Sequence, residues 1–248
     1  MMRFIVFSAA LVLFACKAGE SSSSSGPPLA PADVPKSIFR ARYDLEPGII
    51  KAGTVFAARL SDQAPVLAVT AHHVFGTAGG LRSEVTPDEL VKGFAKGQLE
   101  DVLKGGAIAS LSRPLLIPDA KRFAGELMST DVAAFVPEQP EKLKPLPLAA
   151  ARPQLGDTVW LIAAIKGQEN GELQHAAKVV LSDDDALIYE FAEPKLELRA
   201  TSGAPVLSAK GEVVGINLTG GEKDGKLIGM AAAIPNVRKR LEKAISHP

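Results

Sequence analysis

The sequence predicts an all-β domain, on three observations. From about Ile49 onward, short runs of Val, Ile, Leu, Ala and Phe are separated by Gly, Pro, Asp and Asn, the punctuation of short strands and tight turns. The runs form two groups, divided at residues 137–153, where Pro137, Pro140, Pro145, Pro147 and Pro153 interrupt any regular element and suit a linker. Only two segments carry helical signals. Strands are expected at 54–60, 66–70, 107–111 and 132–136 in the first unit (about 45–136), and at 158–165, 175–181, 186–191, 205–208, 213–217 and 227–233 in the second (about 154–234).

The helical segments are 86–104 and 235–246. In the first, Thr86 is a cap, Pro87 suits the first helical position and Asp88-Glu89 complement the helix dipole, while Gly93 and Gly97 weaken its interior. In the second, Val237, Leu241 and Ile245 recur every four residues with basic residues opposite, the pattern of a closing helix packed on the second unit.

The N-terminus is organised differently. Met1-Met2-Arg3 is a short positive start, and Phe4 to Ala15 is an apolar run that stops at Cys16-Lys17. That run is too short to span a bilayer and reads as the hydrophobic region of a secretory signal. Leu13-Phe14-Ala15-Cys16 resembles the lipobox of bacterial lipoproteins, which implies cleavage before Cys16, lipid on that cysteine, and a domain exported across the inner membrane and anchored in the cell envelope. A plain signal peptide cleaved nearby is the alternative. Glu20, Ser21 to Ser25, Gly26-Pro27-Pro28, Pro31 and Pro35 follow, a composition that cannot bury enough apolar area to order its backbone, so residues 16–44 are expected to be a flexible tether.

Composition excludes several classes. Lys and Arg number 28 against 28 Asp and Glu, so no broad basic field is present to hold nucleic acid. One cysteine makes no internal disulfide, and the four histidines show no zinc-ligand spacing; neither metal nor cofactor is expected. Aromatics are 5% of the chain, which predicts a core of aliphatic side chains without stacked rings.

Three segments carry chemistry. Val66 to Phe75 is an apolar strand running into His72-His73; a strand end can hold an imidazole rigidly toward a cleft, as a general base requires. Asp131 immediately precedes the apolar run Val132-Ala133-Ala134-Phe135-Val136, where a carboxylate can be partly buried and orient an imidazole. Ser202 lies within Ala200-Thr201-Ser202-Gly203-Ala204-Pro205, a turn of small residues in which a hydroxyl is exposed and flanking N–H groups converge on an oxyanion.

Together these segments resemble the trypsin-like (chymotrypsin-fold) serine peptidases, nearest the bacterial HtrA/Deg-type branch, in which the histidine lies in T-A/x-x-H, the aspartate opens a D-[IVL]-A-[LV] strand and the serine lies in G-[DN]-S-G-G-P. Here these read Thr70-Ala71-His72-His73, Asp131-Val132-Ala133-Ala134 and Ala200-Thr201-Ser202-Gly203-Ala204-Pro205, in the same order, with 58 residues from His73 to Asp131 and 71 on to Ser202. The likeness extends over about residues 50–245 and does not reach a PDZ module. It implies two six-stranded antiparallel β-barrels with a C-terminal α-helix, and an endopeptidase acting on protein or peptide substrates. It further implies Ser202 as nucleophile, His73 as base with His72 as the alternative, Asp131 as the group orienting the base, and the amides of Ala200 and Ser202 as the oxyanion hole. Ala200 stands where the family has glycine, and a Cβ there resists positive φ. Leu196 would lie at the base of the primary specificity pocket, with Leu218, Thr219 and Gly220 along its wall. An apolar base without an acid implies a preference for small or aliphatic side chains over Arg or Lys. Two other readings stand beside the peptidase: a protease-like scaffold that grips peptide without turnover, and a sugar- or lipid-binding envelope β-sandwich.

Overall fold

Alternating burial in Ile38–Leu45, with Phe39, Ala41, Tyr43 and Leu45 turned inward, makes the first strand of a computed structural model that describes residues 26–125, 127–165, 171–193 and 195–246. The signal segment, Cys16 and the serine run lie outside the described residues.

A short helix, α1 (Val34–Ser37), leads into β1 (Ile38–Leu45), β2 (Gly48–Ile50), β3 (Val55–Arg59) and β4 (Leu67–Thr70); α2 (Pro87–Gly93), β5 (Phe94–Asp101), β6 (Ala107–Pro114), β7 (Ala133–Pro137) and β8 (Leu146–Pro147) follow. The sheet runs β2-β1-β5-β6-β7-β4-β3-β8. Pairing of Ile38 with Phe56 and Phe39 with Val55 closes β1, β5, β6, β7, β4 and β3 into a six-stranded antiparallel barrel. The expectation that residues 16–44 form a tether is therefore corrected from Val34 onward. The polar residues of β1 alternate with large apolar ones, and burying each of the latter contributes about 1.5–3 kcal/mol, enough to order a stretch that follows a Ser/Pro-rich run.

The helix expected over 86–104 ends at Gly93. Its start is as the sequence reads, with a reciprocal capping box between Thr86 and Glu89, but Phe94–Asp101 is β5. Gly97 lies so close to Leu111 on β6 that a Cβ on it would come within 2.8 Å of the leucine side chain, and tertiary pairing overrides a weak helical pattern broken by two glycines. The expectation of a core without stacked rings is also corrected. Rings are few but concentrated: Tyr43 packs edge-on to Phe75 at 4.8 Å, and Phe135 touches Tyr43, Phe75 and Phe94 at 5.1–5.6 Å, all inside the first barrel.

The second barrel comprises β9 (Thr158–Ile162), β10 (Gln174–Ser182), β11 (Ala186–Phe191), β12 (Pro205–Ser208), β13 (Val213–Lys223) and β14 (Lys226–Ala233), closed in the order β10-β11-β14-β13-β12-β9. Between β13 and β14, Asp224 and Gly225 both have positive φ, 53° and 73°, as a two-residue type I′ hairpin needs. The proline-rich connection stitches the barrels: Leu146 pairs with Ala58 of the first and Leu148 bridges to Val213 of the second. Helix α3 (Ile234–Ser246) buries Ile234, Val237, Leu241 and Ala244, and Arg238 donates to the carbonyls of Leu60 and Leu148, so the helix spans both units rather than the second alone. The fold is the expected pair of six-stranded antiparallel barrels with a C-terminal helix.

Candidate active site

Strands β4 and β7 are antiparallel neighbours, with Thr70 opposite Ala133. That register places the turn after β4, His72–Phe75, beside the turn before β7, Met128–Thr130, which ends at Asp131. Asp131, 1% exposed, accepts from His73 twice: from its backbone N–H on Oδ1 at 2.9 Å and from ring Nδ1 on Oδ2 at 2.8 Å. Phe123 N–H donates to Oδ2 at 2.9 Å. Burial alone would raise the Asp131 carboxyl; the hydrogen bond and electrostatic attraction of the His73 ring and the two backbone donors outweigh it and hold the group below its usual range. A carboxylate on Nδ1 fixes the tautomer with its proton there, leaving Nε2 as an acceptor.

His72, adjacent in sequence, faces elsewhere. Its Nε2 donates to the Val85 carbonyl at 2.8 Å, and burial holds its imidazole below the usual value. His73, not His72, is the histidine joined to Asp131.

The serine lies in the turn before β12. Ala200 has φ 61° and Gly203 φ 82°, so a left-handed residue precedes and follows Thr201-Ser202. Ala200 therefore adopts the conformation its Cβ disfavours. Glycine at 203 is required by close approach: a Cβ there would lie 2.2 Å from Thr70 Oγ1 and 2.4 Å from the Thr54 carbonyl. The turn is held on both sides. Thr54 N–H donates to the Ser202 carbonyl at 2.8 Å, and Thr54 Oγ1 and Arg40 each donate to the Ala200 carbonyl at 3.0 Å. From the second barrel, Asn217 Nδ2 donates to the carbonyl and hydroxyl of Thr201, and its own Oδ1 accepts from buried Tyr189 at 2.6 Å. Among the described residues the amides of Ala200 and Ser202 have no acceptor.

His73 and Ser202 both line two adjoining compartments of the cleft. One, of about 500 Å³, is walled by Arg40, Lys51, Gly53, Glu100 and Ala200; the other, of about 300 Å³, by Arg122, Phe123, Asp131, Leu218 and Thr219. Ser202 Oγ donates to the Leu218 carbonyl at 3.3 Å, a rotamer directed at the second compartment. No group of three His, Cys, Asp or Glu side chains able to hold a metal occurs among the described residues.

Of the expected pocket residues, Leu218 and Thr219 line the cleft. Gly220 is exposed, whereas Leu196 is 4% exposed and packs with Tyr189, Phe191 and Val206 in the core of the second barrel. Leu198, which the sequence reading did not single out, packs on Gly220: a Cβ on that glycine would come within 2.3 Å of Leu198 Cδ1. Arg40, Thr54 and Phe123 were equally missed: Arg40 and Thr54 reach the site from far away in sequence, and Phe123 contributes only its backbone N–H, which no motif marks.

The fold has solved counterparts. A protease from M. tuberculosis, Rv3671c in its active form, superposes with a TM-score of 0.52 at 17% identity, covering 86% of this chain and 82% of that one. The thermostable serine protease AL20 from an extremophilic microorganism gives 0.57 at 13% identity, covering 88% and 100%. Kallikrein-related peptidase 10 gives 0.55 at 14% identity, covering 89% and 100%. At such identities the likeness concerns the fold. No curated protein matches the chain in sequence. The sequence pattern of the trypsin-like peptidase domain, however, matches residues 52–216, more than half of the chain and all three chemical segments, and the chain accordingly belongs to the trypsin-like peptidase domain family.

Proposed function

We propose that the protein is a serine endopeptidase in which Ser202, His73 and Asp131 act as one unit. The observation that carries this reading is the buried Asp131 carboxylate on His73 Nδ1 at 2.8 Å, with Ser202 lining the same cleft. Ser202 Oγ turns from the Leu218 carbonyl toward His73 Nε2 as a peptide enters, since hydrogen bonds of this kind tighten only with substrate in place. His73 takes the hydroxyl proton as Oγ attacks the scissile carbonyl, and Asp131 stabilises the resulting imidazolium. The amides of Ala200 and Ser202 receive the oxyanion. The His73 proton passes to the amine as the C–N bond breaks; water, deprotonated by His73, then attacks the acyl carbonyl, and the imidazolium returns that proton to Ser202 Oγ as the ester bond breaks and the acid leaves. Leu218 lines the cleft and the position expected at the pocket base is the apolar Leu196, which favours small or aliphatic side chains at the cleaved bond.

We further propose that Cys16 carries lipid and that the segment between it and Leu29 holds the domain at the bacterial envelope; incorporation of a clickable fatty acid by wild type and not by Cys16→Ser tests this. One observation favours a second reading, a peptide-binding protein without turnover: the Ser202 hydroxyl bonds to the Leu218 carbonyl and not to the imidazole. A fluorophosphonate probe separates the two. Labelling of residues 26–248, lost in Ser202→Ala and His73→Ala, supports the peptidase; absence of labelling in the folded domain refutes it.

A further inference from the structure

A residue of the first barrel is bonded to the serine turn of the second. Arg40, on β1, is half-buried, and no carboxylate among the described residues lies within ion-pair distance of it; Glu100 is its partner in the β1–β5 register and lines the same compartment without bonding to it. A guanidinium stripped of part of its water and given no anion is costly unless its N–H groups find acceptors. Arg40 finds three, all backbone carbonyls, on three separate segments: Nη1 donates to Ala200 at 3.0 Å and Gly53 at 3.3 Å, and Nη2 to Ala164. These are the serine turn, the approach to β3 and the exit of β9. The planar fork matches this spread of acceptors, which a lysine ammonium cannot.

The Ala200 carbonyl is where this matters. Ala200 is one of two non-glycine residues with positive φ among the described residues; the other is in a hairpin, where the chain reversal itself demands that conformation. At Ala200 the backbone pays a strain of the kind that persists only where surroundings over-determine it. Fixing the Ala200–Thr201 peptide by two donors, Arg40 and Thr54 Oγ1, leaves the left-handed φ as the conformation that satisfies both ends of the turn, and with it the direction of the Ala200 N–H.

We propose that Arg40 is a positioning residue for the oxyanion site: it holds the strained Ala200 peptide so that the Ala200 amide faces the reacting carbonyl, a task a glycine at this position would not require. This rests on the peptidase reading above, which supplies the amide with its role, but the conformational claim is separately measurable.

The test combines Arg40→Gln, Arg40→Lys and Ala200→Gly, alone and paired, in a double-mutant cycle. Because loss of one oxyanion donor lowers rate by about 10²–10³-fold, partial misplacement in Arg40→Gln is expected to lower kcat and the rate of fluorophosphonate labelling by about 30-fold with KM within about twofold; Arg40→Lys falls between. With glycine at 200 the same Arg40→Gln change is expected to cost about threefold or less, since left-handed φ is then free. An equal loss in both backgrounds overturns the proposal and leaves Arg40 acting only as a charge in the cleft. A second readout needs no activity: in ¹⁵N-labelled protein the Ala200 and Ser202 amide resonances shift or broaden in Arg40→Gln, and the Ser202 resonance is no longer sensitive to Arg40→Gln once Ala200→Gly is present; unmoved resonances in Arg40→Gln alone overturn the proposal too. If Arg40→Gln does not fold, Arg40→Lys carries the same comparison. Wild type that neither labels nor cleaves refutes the peptidase reading alone, and the resonances still decide this one.

Discussion

Asp131 grips His73 by both its ring and its backbone, at 2.8 Å and 2.9 Å. The two bonds come from different oxygens of one carboxylate, so the carboxyl plane, the imidazole and the peptide of the β4 turn are oriented together. In Asp131→Asn only one of the two side-chain atoms remains an acceptor, and the amide nitrogen must face a donor. The expected result is loss of the Nδ1–H tautomer with the fold intact, and a fall in kcat of about 10⁴-fold. Steady-state kinetics at pH 7 with a thermal melt of the same sample check both halves; full activity in Asp131→Asn would contradict the orienting role.

Two histidines unconnected with the proposed chemistry make stability depend on pH. Burial holds both His72 and His175 below the usual imidazole value of 6.5, against the opposing effect of their bonds to the Val85 and Ala163 carbonyls. A folded-state value below the unfolded one means that the unfolded chain binds more protons, so their contribution is complete above about pH 6.5 and is lost as pH falls through that value toward the folded one. Asp131, also lowered, loses its contribution in a separate window below the ordinary carboxylate range. A loss of 1 kcal/mol moves Tm by about 2–4 °C in a domain of this size, so Tm is expected to drop by a few degrees from pH 7.5 to pH 5. His175→Gln, which keeps a neutral donor for Ala163, should flatten that drop; an unchanged profile would show that His175 does not contribute.

Gly203 and Gly221 offer a matched pair. Gly203 has positive φ and would press a Cβ against Thr70 Oγ1, the Thr54 carbonyl and the Ala71 amide, whereas a Cβ on Gly221 meets nothing within 4 Å. Gly203→Ala is expected to destabilise by about 3 kcal/mol and Gly221→Ala by less than about 0.5 kcal/mol, as read by urea denaturation.

Leu198 lies beside the backbone that follows Leu218 and Thr219 of the cleft. It packs over Gly220 with a terminal methyl, and if the proposed substrate pocket extends along this backbone, that methyl limits its depth. Leu198→Ala is expected to raise kcat/KM for bonds after Leu or Phe relative to bonds after Ala by about tenfold, within the range of a few methylenes of pocket space. A peptide library cut by wild type and variant measures the ratio, and an unchanged preference would remove Leu198 from the wall.

What the sequence made legible was local. His73, Asp131 and Ser202 each sit at the border of an apolar strand and a turn, and such borders are written in consecutive residues. Burial of Asp131 against His73 followed once Thr70 faced Ala133. What stayed hidden depends on contacts across the chain. The alternation of β1 is a clear strand signal, but it begins three residues after Pro35, where the composition reads as tether. Residues 94–101 carry capped-helix signals upstream and owe their strand to β1 and β6 on either side. Arg40 is 160 positions from Ala200, and Leu198 meets Gly220 only because the barrel folds one segment over the other. A low aromatic count said nothing of where the rings would gather.

The entry to β1 is fastened before the strand begins. Leu29 exchanges two hydrogen bonds with the Gln174 side chain, at 3.2 Å and 2.9 Å, Asp33 pairs with Lys144, and the Lys144 amide donates to the Lys36 carbonyl at 2.8 Å. β1 is also the strand that carries Arg40. A pull on the N-terminal segment would therefore load the Gln174 and Lys144 contacts before it reached the ladder of β1 and the guanidinium mounted on it.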